Sequence, residues 1–148
     1  NKSIPLHVKC FLDAASPGTI IHNKAVHDLP PIIVVKESQA LLQLHSQDFS
    51  FVGEKPMSEL YRMLAEIKIK PNLIQTGAVS IMLCLDDKPE KIEKLALAAA
   101  SGFEVAVEKG LTLLTIRHCK DELLQKMTAG KMVLLKQQTP EIVQVLMK

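Results

Sequence analysis

Residues 71–87 read PNLIQTGAVSIMLCLDD. Residues 72–76 and the apolar run 79–85 predict two neighbouring strands, joined through the small polar junction Gln75-Thr76-Gly77 and closed by Asp86 and Asp87. Polar groups near a core must each find a hydrogen-bond partner. An amide, a hydroxyl and a glycine between two core strands therefore ask for either a polar turn or a ligand.

Working outward, Pro56 opens a predicted helix whose residues Met57, Leu60, Tyr61, Leu64 and Ile67 fall at helical spacing, and Pro71 forbids its continuation. On the other side, Asp86-Asp87 is expected to cap a second helix. That helix starts near Pro89, buries Ile92, Leu95, Ala96 and Ala99, and ends at Gly102. Before the first helix, β-rich runs at 32–36 and 40–46 are split by the polar Lys36-Glu37-Ser38-Gln39, which predicts a hairpin followed by a loop over 47–55. After the second helix, Phe103, Val105 and Val107 alternate as a strand. Residues 40–109 thus spell strand-helix-strand-strand-helix-strand, the ferredoxin-like order.

The order then begins again, with a strand from Gly110, a short helix placing Leu123, Leu124 and Met127 inward before Gly130, and strands at 132–138 and 141–147. This second unit lacks its last strand. Residues 4–12 alternate Leu6, Val8 and Cys10 against His7 and Lys9, and are expected to supply it. Between them, 13–31 carries Ser-Pro-Gly, two histidines and Pro-Pro, and reads as a loop or linker with at most a short extended piece at Thr19–Ile21. The fold class is α+β, with the first βαββαβ unit inserted within the second.

Composition narrows the function. Basic and acidic side chains, 18 and 16, are interspersed, so neither nucleic acid nor a membrane surface is indicated as a partner. Aromatic residues make up 3% of the chain and Trp is absent, which leaves little to stack on bases. No apolar stretch nears the roughly 20 residues that span a bilayer, and NKSIPLHVK does not resemble a secretion signal, so a cytoplasmic location is expected. Three well-separated cysteines, Cys10, Cys84 and Cys119, predict reduced, buried thiols.

Catalytic patterns are absent. His118 beside Cys119 is the nearest to a nucleophile pair, but neighbours on a strand point to opposite faces. No zinc-ligand spacing and no glycine-rich phosphate loop occur, so neither a metal nor a cofactor is expected. Two polar places remain. One is LHSQDFSFVGEKPMSEL (44–60), where Ser46 and first-turn N–H groups around Met57 and Ser58 would meet a carboxylate. The other is the opening stretch, where Asn72, Gln75 and Thr76 would hold an amine or hydroxyl. The residues alone leave a small-ligand site and a polar turn both open.

Four separated motifs, IPLHVKCFLDAASPGTII (4–21), LLQLHS (41–46), IKPNLIQTGAVSIMLCLD (69–86) and GLTLLTIRH (110–118), together resemble the C-terminal regulatory region of aspartate kinase, with its paired ACT domains. The resemblance runs essentially end to end. It implies a first ACT domain over 36–109 and a second over 1–35 and 110–148, a catalytic kinase domain preceding this chain, and no enzymatic activity of the fragment itself. It also implies a homodimer and an end-product amino acid, lysine or threonine, bound at the edge of the first unit between two subunits. By position, Ser46, Met57, Ser58, Lys70, Pro71, Asn72, Gln75 and Thr76 would line that site. Lysine-inhibited relatives carry an aspartate where this chain has Asn72, while Gln75 is similar to a glutamine that threonine-sensing members use. The loop SQDFSFVGEK departs from the family in length. The alternative is a ferredoxin-like module that binds nucleic acid or protein and no amino acid.

Overall fold

The computed structural model describes residues 4–22, 29–48 and 51–148. They divide into two units, 1–30 and 31–148. Expectations for 23–28 of the linker and 49–50 of the loop lie outside the described residues.

In the first unit, β1 (Leu6–Val8) pairs antiparallel with β2 (Thr19–Ile21), with Leu6 opposite Ile21 and Val8 opposite Thr19. Gly18 turns the chain into β2 at φ +70°, and a Cβ there would run into the Val8 carbonyl oxygen. This corrects the expected use of residues 4–12. Their strand is shorter, its partner is Thr19–Ile21, and Cys10 is exposed, not buried.

The second unit is built on one antiparallel sheet in the order β4-β5-β3-β6-β8-β7. Its strands are β3 (Ile32–Ser46), β4 (Pro71–Thr76), β5 (Ser80–Asp86), β6 (Phe103–Arg117), β7 (Val133–Gln138) and β8 (Ile142–Met147), with helices α1 (Glu54–Ile67), α2 (Pro89–Ala99) and α3 (Asp121–Thr128). Strands β3 and β6 lie side by side over almost their whole length and belong to both halves of the sheet. The latter part of β3, α1, β4, β5, α2 and the start of β6 make one complete βαββαβ set. The rest of β6, α3, β7 and β8 make the second set, and Ile32–Lys36 at the start of β3 is its fourth strand, opposite Leu113–Arg117. That position had been expected for residues 4–12.

The hairpin expected over 32–46 is therefore one bent strand. Lys36-Glu37-Ser38-Gln39 contains no glycine for a primed two-residue turn. Instead the register slips between Lys36 and Gln39 and again between Gln39 and Leu41, with Ser38 at φ +55°. This is a bulge, which bends a strand without ending it. Gly110, at φ +71°, sits in the facing part of β6.

Three apolar cores follow. Leu60 and Leu64 of α1 and Ile92, Leu95 and Ala99 of α2 cover Leu42, Leu44, Ile81, Leu83 and Leu85. Leu124 of α3 covers Leu114, Ile116, Val143 and Val145. On the other face of the sheet, Leu41, Leu73 and Cys84 from one half meet Leu111, Leu113, Leu135 and Leu146 from the other, so the sheet curls back on itself. Gln137 of β7 even donates to the Ile74 carbonyl of β4, at 2.8 Å. Among the described residues no helix is long and apolar enough to cross a membrane.

Candidate functional site

Two bulges meet at Asp86. The register of β4 slips between Pro71 and Leu73, which makes Asn72 an extra residue aimed by the irregularity. Its Nδ2 donates to Asp86 Oδ1 at 2.7 Å and to Gln39 Oε1 at 2.7 Å. Its Oδ1 accepts from Lys36 Nζ at 2.9 Å, and the same ammonium lies 2.7 Å from Asp86 Oδ1. Gln39, which is buried, donates to the carbonyls of Glu37 and Ser38 at 3.0 and 3.3 Å. It thereby satisfies the Glu37 carbonyl at the β3 bulge, and shares the Ser38 carbonyl with the Asp87 N–H, which donates to it at 2.8 Å. It also donates to Asp86 Oδ1 at 3.2 Å.

Hydrogen bonds from Lys36, Asn72 and Gln39 hold the Asp86 carboxyl down, at about 2. Beside it, Cys84 donates its S–H to Gln39 Oε1 at 3.5 Å, and burial pushes that thiol up to about 11. Asp86 thus does not cap α2, as its place before Pro89 suggested. The N-cap is Lys88, with no side-chain bond to the helix end. The Asp86 carboxylate has stronger partners in the sheet than the helix N–H groups would offer.

The eight residues named by resemblance fall into two groups. Lys70, Pro71 and Asn72 stand at the start of β4, whereas Gln75 and Thr76 stand at its end; at the usual rise of a strand Asn72 and Gln75 are about 10 Å apart and Pro71 and Thr76 about 16 Å. Ser46 belongs with the latter, since its N–H donates to the Val79 carbonyl just past the junction. The junction itself is a tight connection. Gly77 N–H donates to Ser80 O at 2.8 Å, and the Ala78 carbonyl accepts from Val52 at 2.8 Å, tying the entry of α1 to the hairpin.

Helix α1 starts at Glu54, ahead of the expected Pro56, with Gly53 as N-cap. Met57 N–H is consequently already donated to Gly53 O at 3.3 Å, and Ser58 lies inside the helix. The orphan first-turn donors belong to Glu54 and Lys55, because Pro56 has none. A cavity of about 320 Å³ opens between this helix start and the end of β3, bordered by Asp48, Phe51, Glu59 and Phe103, and Ser46 is the one residue of the eight that lines it.

Sequence reading missed Lys36, Gln39 and Asp86 as members of one cluster. The available signal was a polar interruption, Lys36-Glu37-Ser38-Gln39, inside what is otherwise a continuous apolar strand. His118 and Cys119 fall past the end of β6, with His118 at φ +54°, and Cys119 is half-buried. Among the described residues no group of His, Cys, Asp and Glu could hold a metal ion.

No protein-family model matches the chain, and no curated protein matches it in sequence. Solved structures do. Clostridium acetobutylicum aspartate kinase superposes with a TM-score of 0.80 over 98% of this chain, at 14% identity. Escherichia coli aspartokinase III in complex with lysine and aspartate gives 0.71 over 97%, at 22% identity. A C-terminal regulatory domain of aspartate kinase from Porphyromonas gingivalis gives 0.67 over 82%, at 17% identity, and is itself 88% covered. The two kinases are covered over only 38% and 35% of their lengths, so this chain spans little more than a third of them. The fold is that of the aspartate kinase regulatory region.

Proposed function

We propose that this chain is the regulatory region of an aspartate kinase, a cytoplasmic amino-acid sensor with no catalytic centre of its own. The observation that carries the reading is the fold likeness over nearly the whole chain, both to kinases about three times longer and to a regulatory domain of its own size. The parent enzyme would phosphorylate aspartate, and this region would report an end product to the kinase domain preceding it. We take residues 36–109 as the first ACT unit and 1–35 with 110–148 as the second with its leading segment, so that the first is inserted within the second.

The effector is an amino acid, threonine or lysine, held at β4. Asn72, with Lys70 and Pro71 beside it, forms one half of the site. Gln75, Thr76 and Ser46, together with Met57 and Ser58 of α1, form the other. The halves lie at opposite ends of one edge strand, and an antiparallel two-fold pairing of protomers along β4, with the mate's backbone replacing the Gln137 side chain at the Ile74 carbonyl, brings the start of one strand beside the end of its mate. The homodimer thus completes the site.

Calorimetry and thermal shift with a panel of free amino acids test the sensor reading, and light scattering across micromolar concentrations tests the dimer. Saturable binding of one or two amino acids to a dimer is expected. A strict monomer, or no response at millimolar ligand, overturns the reading. The alternative module for nucleic acid has less support, because the central strands β3 and β6 carry a single aromatic residue, Phe103.

A further inference from the structure

The cluster around Asn72 has an unusual occupant. Where an amine ligand would approach the amide oxygen and the neighbouring carboxylate, the chain has already placed an ammonium of its own. Lys36 Nζ sits 2.9 Å from Asn72 Oδ1 and 2.7 Å from Asp86 Oδ1. We propose that Lys36 is the residue that sets effector charge at this site, acting as a built-in cation that excludes cationic amino acids and leaves the site to one with a neutral hydrogen-bonding side chain. The inference rests on the preceding reading that Asn72 faces the effector.

Three features support it. Both side chains are partly open to solvent, 46% for Lys36 and 40% for Asp86, so the pair stands where a ligand arrives and not deep in the core. Lys36 is also tethered through β3, next to the bulge that Gln39 holds in shape. A tethered group competes with a free ligand at an effective concentration in the millimolar range. Finally, Asp86 is the only carboxylate bonded to Asn72 among the described residues, and Oδ1, the oxygen turned to the amide, already takes hydrogen bonds from Asn72 and Gln39 besides the ammonium. A second ammonium must displace Lys36 or lie against a like charge.

What Asn72 retains fits a neutral group. Both hydrogens of Nδ2 are committed, to Gln39 and Asp86, whereas Oδ1 has two acceptor positions and Lys36 uses one. A hydroxyl or amide N–H can donate to the second without disturbing the ion pair. A small amino acid with such a side chain is the matching class.

The test is calorimetry of the whole chain with L-threonine and L-lysine, on the wild type, Lys36→Met, Lys36→Arg and the double variant Lys36→Met with Asp86→Asn. The wild type is expected to prefer threonine over lysine by at least tenfold. Lys36→Met should gain lysine affinity by at least tenfold, Lys36→Arg should not, and the double variant should lose what the single one gained. Circular dichroism establishes that each variant is folded, and an unfolded Lys36→Met is replaced by Lys36→Gln with the same expectation. Equal affinity of the wild type for both ligands, or a folded Lys36→Met or Lys36→Gln with unchanged lysine affinity, overturns the proposal about Lys36. If neither amino acid binds any of the proteins, the sensor reading itself falls and takes this inference with it.

Discussion

Asn72 Nδ2 and Asp86 Oδ1 lie 2.7 Å apart, joining a bulge of the edge strand β4 to the end of β5. Through Gln39 and Lys36 the same carboxylate reaches the β3 bulge at which the sheet bends from one ACT-like set into the other. An amide in the position occupied by Asn72 can donate to a carboxylate, whereas a second carboxylate cannot.

Replacing Asn72 by Asp should therefore destabilise the unliganded protein at neutral pH, by roughly 1 to 3 kcal/mol, the usual cost of losing a hydrogen bond and leaving its partner unpaired. Two carboxylates at this spacing resist joint ionisation, so one of them should bind a proton more readily. Urea unfolding checks both points: the penalty should be clear at pH 7 and smaller near pH 4.5. An equal penalty at both pH values would mean that charge repulsion is not its cause.

Acid should weaken the wild type through Asp86. Its carboxyl titrates at about 2 in the folded protein, against about 3.9 for an ordinary aspartate. The folded state thus prefers the ionised form, and this contribution is complete above about pH 5. It is lost progressively as the pH falls from about 5 towards 2. Thermal unfolding followed over that range should show a decline that is shallower in Asp86→Asn. The NMR titration of the carboxyl carbon locates the midpoint directly.

Thiol chemistry distinguishes Cys10 from Cys84. Cys10 is exposed and Cys84 buried, with the Cys84 thiol held protonated at neutral pH by burial. In a thiol-titration assay of the native protein, Cys10 should react first and Cys84 only with added denaturant. Rapid labelling of Cys84 without denaturant would show that the back-face core around Leu41 and Leu113 opens readily.

Truncating Gln39 to Ala should cost about 1 to 3 kcal/mol, since the Glu37 carbonyl and the Asn72 amide each lose a partner in a part-buried place. Gln75→Ala makes the contrast. Gln75 is exposed, so the melting temperature should hardly change, while effector affinity should fall by roughly 1 to 3 kcal/mol if the amide binds ligand. Calorimetry and melting curves on both variants separate a structural amide from a ligand-binding one.

Local pattern was sufficient for much of this molecule. The spacing of Leu60, Leu64 and Ile67, the alternation around Leu83 and Leu85, and Pro71 and Gly102 at element ends made α1, β5, α2 and their ferredoxin-like order legible, because periodicity records which face of an element is buried. The repeat of that order after Gly110 was equally plain, and so were the missing last strand and the polar junction before β5. What remained outside local pattern was partnership. Nothing in Ile32–Lys36 marks it as the fourth strand of the second set, because β-branched residues favour any strand position, and a polar break of four residues fits a turn as well as a bulge. Only the assembled sheet, with Gln39 bonded across the bulge, decided between them. The same applies to Asp86, whose sequence position before Pro89 suits a helix cap; tertiary structure brought Lys36, 50 positions away, within 2.7 Å of it. A charge-assisted bond between residues so far apart in sequence leaves no periodic trace.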